Sequence, residues 1–287
     1  MSERLPPLTS LQNPRVKALV KLRQHRERER RRLTLLEEPL VIRRALEAGY
    51  PLQEVWVCPE RLVDVELADL AAELERAGVP VQEAAGAVLD KVSYRGSSDG
   101  LLAVAPQRRR LLADLQLGQR PLLVVLLAVE KPGNLGAVLR TADACGCDAV
   151  LVGDPGTDLY NPNVVRASRG ALFTVPAVAD TAAAVLAFLG ERGIVRIAAT
   201  PDASEPYTGV DLTGPTALVL GPEHGGLSAA HRQECDRAVR VPMLGVVDSL
   251  NVATTAAVVL YEALRQRGAG AGAGTGGAGA GPGSPAT

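Results

Sequence analysis

VPMLGVVDSLNVATTAAVVLYEAL, residues 241–264, decides the fold when it is read with EKPGNLGAVLRTADACG (130–146) and TALVLGPEHGGLS (216–228). Each stretch joins a strand-like apolar run to a loop containing Gly or Asn, and each loop leads into helix-like sequence. Working outward, the same alternation continues across the second half of the chain. Strands are expected at 122–129, 149–152, 194–200, 217–220 and 238–241, and helices at 135–145, 164–169, 182–192, 228–235 and 250–267. This is the pattern of an open parallel α/β sheet. Ligands of such sheets bind beyond the carboxyl ends of the strands. Four loops fall there: EKPGN (130–134), TPDAS (200–204), GPEHGG (221–226) and PMLGVVDSLN (242–251). One such loop is an ordinary tight turn; all of them on one sheet edge point to a site.

The chain has 287 residues, 47% of them hydrophobic, enough for one large domain or two ordinary ones. Its longest apolar run, PLLVVLLAV (121–129), is too short for a membrane span and reads as a buried parallel strand. The opening MSERLPPLTS lacks the apolar core of a signal peptide, so a soluble cytoplasmic protein is the expectation. The net charge of −1 argues for no partner, but its distribution does. RVKALVKLRQHRERERRR (15–32) is strongly basic, and Arg26, Arg28, Arg30, Arg31 and Arg32 are candidate contacts to RNA phosphates. A solvated helix face, partly neutralised by Glu27 and Glu29, explains the same residues equally well. The four cysteines are too few and scattered for a disulfide framework and lack metal-ligand spacing, so structural thiols and no metal are expected.

The first half reads as a smaller α/β unit. LTLLEEPLVIRRALEAG has helical periodicity ending at Gly49; VWVC (55–58), VPVQE (79–83) and GLLAVAP (100–106) look like strands, and residues 67–78 like a helix closed by glycine. The expected division is an N-terminal domain over 1–106, a charged linker over 107–120, a catalytic domain over 121–267 and a disordered Gly/Ala-rich tail over 268–287.

The first strand of the second half is followed by KPGNLG rather than G-x-G-x-x-G, which disfavours a dinucleotide enzyme, and no Walker A sequence exists. By spacing alone the ligand has no name. NLGAVLRTADACG, LVLGPEHGGLS and VPMLGVVDSLNVATTAA, however, resemble in order the three motifs of the SpoU/TrmH family of S-adenosylmethionine-dependent RNA ribose 2′-O-methyltransferases. The likeness covers roughly residues 122–267, with RASRGALFTVP (166–176) similar to the intervening segment. His224 and Asp248 depart mildly from the pattern. The N-terminal half resembles, more loosely, the ribosomal-protein-like RNA-binding domain that often precedes this catalytic domain.

The resemblance implies a deep trefoil knot in the parallel-sheet domain, a fold that sequence physics would not anticipate. It also implies a homodimer with active sites at the subunit interface. Asn134, Arg140, Glu223, Ser249 and Asn251 occupy the matching catalytic positions. Gly221, Val241 and Leu250 match cofactor-binding positions, with Thr200, Leu220 and Met243 as neighbours. Positioning of donor and acceptor should carry much of the rate. A guanidinium holds its proton too firmly to serve readily as a base, so the role expected of Arg140 is to bind a phosphate and stabilise charge on the ribose oxygen. Asn134 and Ser249 double as candidate N-caps of the helices that follow them. The N-terminal domain favours 23S rRNA over tRNA as substrate. Similar two-domain proteins include self-protection enzymes of antibiotic producers, so drug resistance is a further expectation. Base methylation by a related knotted enzyme, or a non-catalytic RNA-binding protein of the same fold, are the alternatives.

Overall fold

The computed structural model describes residues 6–268. The Gly/Ala-rich stretch expected to be a flexible tail lies, from residue 269 onward, outside the described residues.

Asn13 caps the first helix, its side chain accepting from the Arg15 N–H at 2.8 Å, and Pro14 supplies a pre-set φ. The N-terminal elements are α1 (Pro14–Val20), α2 (His25–Arg31), β1 (Leu33–Leu36), α3 (Pro39–Glu47), β2 (Glu54–Val57), α4 (Val65–Arg76), β3 (Val81–Glu83), α5 (Gly86–Val92) and β4 (Leu101–Pro106). They form a sheet of order β1-β4-β2-β3, in which only β2 and β3 run parallel. One expectation needs correction here. Leu33–Leu36 is not helical; it pairs antiparallel with β4, and the helix begins only at Pro39. The break follows from Arg32, whose left-handed φ of 55° ends α2 and turns the chain into the strand.

The second half contains β5 (Leu122–Leu127), α6 (Pro132–Ala144), β6 (Ala149–Gly153), α7 (Pro162–Ser168), α8 (Ala171–Thr174), β7 (Ala177–Asp180), α9 (Ala182–Glu191), β8 (Val195–Ala199), β9 (Glu205–Pro206), β10 (Thr216–Leu220), α10 (Ala229–Gln233), β11 (Arg237–Arg240) and α11 (Val252–Gln266). Its sheet has the order β7-β6-β5-β10-β8-β11-β9, and every pairing is parallel. The strands β5, β6 and β10 are apolar and buried on both faces because helices cover both. Along β5, Leu122, Val124 and Leu126 pack with α6, α7 and α11, while Leu123, Val125 and Leu127 pack with α9. Two edge strands, β7 and β9, escaped the sequence reading because they are short; β9 is a Glu-Pro pair, tolerated only at an edge. Cys145 and Cys147 are buried, and burial pushes their thiols up to about 11 and about 12.

The two sheets share a core, in which Tyr50 meets Phe173 edge-on at a 4.7 Å centroid separation. Arg28, read as an RNA contact, is instead one of the bonds between them. It is 2% exposed, donates to the Leu22 and Arg23 carbonyls, and pairs with Asp158 at 2.6 Å. A buried guanidinium requires such partners, and a phosphate has no access to it.

Candidate active site

β10 stops at Gly221, where the returning loop leaves no room for a side chain. A Cβ there would stand 2.5 Å from the Leu227 nitrogen and 2.6 Å from the Gly226 carbonyl carbon. This close approach closes one wall of a cavity of about 430 Å³ at the carboxyl ends of β8 and β10. The volume falls in the usual range for small-molecule sites, roughly 300–1,000 Å³. Thr200, Leu220, Gly221, Val241, Met243 and Leu250 all line it, together with Glu223 and Ser249.

Ala199, Leu220, Val241 and Leu250 give the cavity an apolar part, whereas Asp202, Glu223 and Asp248 supply carboxylates. That donor set suits S-adenosylmethionine, whose adenine is apolar on its faces and whose sulfonium and ammonium are cationic. Asp202 and Arg232 had not been singled out from the sequence. The Thr200 hydroxyl donates to Asp202, and Arg232 pairs with the same carboxylate, which together hold its carboxyl below the ordinary range. TPDAS was legible as a site loop, but nothing local told that Arg232, 30 residues on, returns to it.

Glu223 is the hub of the polar site. It accepts from Lys131 Nζ, from Asn134 Nδ2, and from Asn251 Nδ2 at 3.0 Å. The Lys131 bond is the largest of the effects that hold its carboxyl below the usual carboxylate range. Glu223 is therefore an ionised acceptor at neutral pH. Asn251 Nδ2 also lies 3.2 Å from Asn134 Oδ1. The orientation of that amide follows from the backbone: its Oδ1 caps α11 by accepting from the Ala253 N–H at 2.9 Å, which leaves Nδ2 for Glu223 and Asn134.

Two expected caps are thereby corrected. Asn251, not Ser249, caps the final helix; Ser249 lies two residues too early and lines the cavity instead. Asn134 caps nothing, because Pro132 starts α6 and Lys131 occupies the cap position. Its side chain is consequently free to join Glu223. Arg140 is not brought to this cluster. It lies six residues beyond Asn134 on α6, about 9 Å along the axis and on another face, and it is exposed.

A smaller cavity of about 100 Å³ adjoins the first, lined by Lys131, Asn134, Glu223 and His224, so Glu223 borders both. Among the described residues no cluster of His, Cys, Asp and Glu could hold a metal ion. No described helix is long and apolar enough to cross a membrane.

Residues 121–261 match the family model described as the SpoU rRNA Methylase family, and residues 13–103 match an MRM3-like substrate binding domain. A relative from Pectobacterium atrosepticum, 23S rRNA (guanosine-2′-O-)-methyltransferase RlmB, is 36% identical over 211 residues, covering 71% of this chain and 86% of the relative. The crystal structure of an RNA 2′-O ribose methyltransferase superposes with a TM-score of 0.80 at 41% identity, over 91% of this chain and 99% of its own. An AdoMet-bound rRNA methyltransferase from Sinorhizobium meliloti gives 0.81 at 28% identity, over 91% and 97%. With the motif residues gathered at one sheet edge and relatives aligned along most of their length, the chain belongs to the SpoU rRNA methylase family.

Proposed function

We propose that this protein transfers the methyl group of S-adenosylmethionine to a ribose 2′-hydroxyl of RNA, with 23S rRNA as the substrate. The observation that carries the reading is the Asn134–Glu223–Asn251 cluster standing between a cofactor-sized cavity and a smaller cleft. The cofactor, when bound, supplies an electrophilic methyl on a sulfonium, already a good leaving group. The chain's own residues orient the acceptor. Glu223, ionised and fixed by Lys131, holds the Asn134 and Asn251 amides in place, and Asn134 faces the cleft that the ribose would occupy. Ser249 completes the wall between ribose and donor.

Arg140 binds the adjoining phosphate and stabilises charge developing on the 2′-oxygen. Its exposure and its distance from Glu223 along α6 support its acting at the site of a second copy in a homodimer. The exposed apolar residues Leu244, Val246 and Val247, on the loop that also lines the cofactor cavity, support the same assembly. The knot is supported by the chain's path: β11 lies beyond β8, yet α11 returns to pack on α6 and β10, so residues 241–251 cross the site edge. Action on ribosomal RNA supports a cytoplasmic location.

The test is transfer of tritiated methyl from S-adenosylmethionine to separated 23S rRNA, 16S rRNA and tRNA, with nucleoside analysis. A 2′-O-methylnucleoside in 23S rRNA is expected. Label confined to tRNA would redirect the substrate, and absence of cofactor binding would leave a non-catalytic RNA-binding protein. Drug resistance, the further role carried over from the resemblance, is read by susceptibility testing of a host expressing the chain.

A further inference from the structure

A second large cavity, about 470 Å³, opens between α2, the linker after β4, and the ends of β6 and β7, on the same sheet edge as the Glu223 cluster. Its wall carries the run Arg108-Arg109-Arg110, which the sequence reading treated only as a charged linker. We propose that this cleft binds a nucleotide of the RNA substrate other than the one that is methylated, and that the linker arginines hold its phosphates. The inference rests on the RNA methyltransferase reading above and adds a second recognition site to it.

The linker is fastened from both sides. The Arg108 N–H is 3.1 Å from the Tyr50 hydroxyl and 2.9 Å from the Tyr160 hydroxyl, and Tyr160 donates back to the Arg108 carbonyl at 2.9 Å. Gln107 N–H donates to the Arg32 carbonyl at 2.7 Å, and the Tyr50 hydroxyl to that of Pro106 at 2.6 Å. Tyr50 belongs to the first domain and Tyr160 to the second, so the arginine run is held at their junction. The Arg108 guanidinium is spent on the Tyr50 ring, 4.7 Å from its centroid.

Arg109 and Arg110 have no carboxylate partner among the described residues, and two of the four acids that line the cavity are already engaged in ion pairs. Asp158 is taken by Arg28 and His25, and Glu29 by Arg32. Asp154 and Asp180 are exposed and form no ion pair among the described residues, and Asp154 is held at a φ of 48° that non-glycine residues seldom adopt. Two guanidiniums without a carboxylate partner, two carboxylates without an ion pair, and Tyr160 and Leu159 in the same lining match a nucleotide. The phosphates meet Arg109 and Arg110, and base or ribose donors meet Asp154. Because the linker is already ordered, binding forfeits little conformational entropy.

The experiment compares the full-length protein with the Arg109→Gln/Arg110→Gln variant and its Arg109→Lys/Arg110→Lys counterpart, with thermal unfolding as the check on folding. Binding to isolated 23S rRNA is measured against salt, and methyl transfer against RNA concentration. The double Gln variant is expected to lose about tenfold or more in RNA affinity, with KM for RNA rising alike, while kcat and S-adenosylmethionine affinity hold. Its log–log salt slope should fall by about 1.4, at about 0.7 per single-strand phosphate contact. The Lys variant should recover most of the salt slope. Unchanged RNA affinity and KM in a wild type that does methylate RNA would overturn the cleft; a wild type that methylates no RNA would instead overturn the reading it rests on. Ultraviolet crosslinking of the wild type to 23S rRNA provides a check free of variants. Crosslinked peptides covering 107–111 or 154–160 are expected, and crosslinks confined elsewhere refute the site.

Discussion

In the proposed reaction, Glu223 and Arg140 divide the chemistry at the level of single side chains. Lys131 and Asn134 favour the charged form of Glu223, so its depressed carboxyl contributes to the site above its ordinary titration range and is lost only as pH falls through the lowered value. Glu223→Gln should therefore reduce methyl transfer by a constant factor between about pH 6 and about pH 9, read as the ratio of the two pH–rate profiles. A ratio that changed across neutrality would mean that Glu223 titrates there as a catalytic acid or base. Arg140→Ala is expected to lower kcat by about 100-fold or more while S-adenosylmethionine affinity stays within about twofold. Lost cofactor binding in a folded protein would remove Arg140 from the role of charge stabiliser.

Among the elements, α6 carries the tightest requirement because it presents Asn134 while leaning on α7. A Cβ at Gly136 would stand 2.5 Å from the Ala167 Cβ and 2.8 Å from the Val164 carbonyl oxygen. Gly136→Val must part the two helices, which should cost about 1–3 kcal/mol and lower activity beyond the loss of folded protein. Denaturant midpoints and specific activity of the folded fraction check both. The basic arm was ambiguous in sequence and is now divided. Arg28 is buried, and Arg30, Arg31 and Arg32 pair with Glu27 or Glu29 on their own helix. Replacing Arg26, Arg30, Arg31 and Arg32 with Gln should weaken RNA binding and flatten its salt dependence. Unchanged binding would assign the arm to a solvated face.

At the scale of the whole molecule, Arg28 and Asp158 fasten the two domains. Asp158→Asn would leave a buried guanidinium with carbonyl partners only, at a cost of about 3–5 kcal/mol. The expected result is a lower unfolding midpoint and earlier proteolysis near the linker. An unchanged midpoint would show that the apolar interface through Tyr50 and Phe173 suffices.

The parallel sheet and the order of the motif loops were legible in the amino-acid sequence, because apolar periodicity and glycine-bearing loops are local signals; the six residues expected at the cofactor, all of which line the cavity, came from the family resemblance of those loops. Local signals also misled. Asn134 and Ser249 look like caps until Pro132 and Asn251 claim those positions, and Leu33–Leu36 reads as helix until β4 supplies its hydrogen bonds. The tertiary structure alone decided that Asn134 and Asn251, 117 residues apart, meet at one carboxylate. It decided likewise that Arg28 leaves solvent for Asp158, 130 residues away, and that the linker arginines face a cleft. A side chain's partner across such separations depends on how sheets and domains pack together, and no local pattern records that packing.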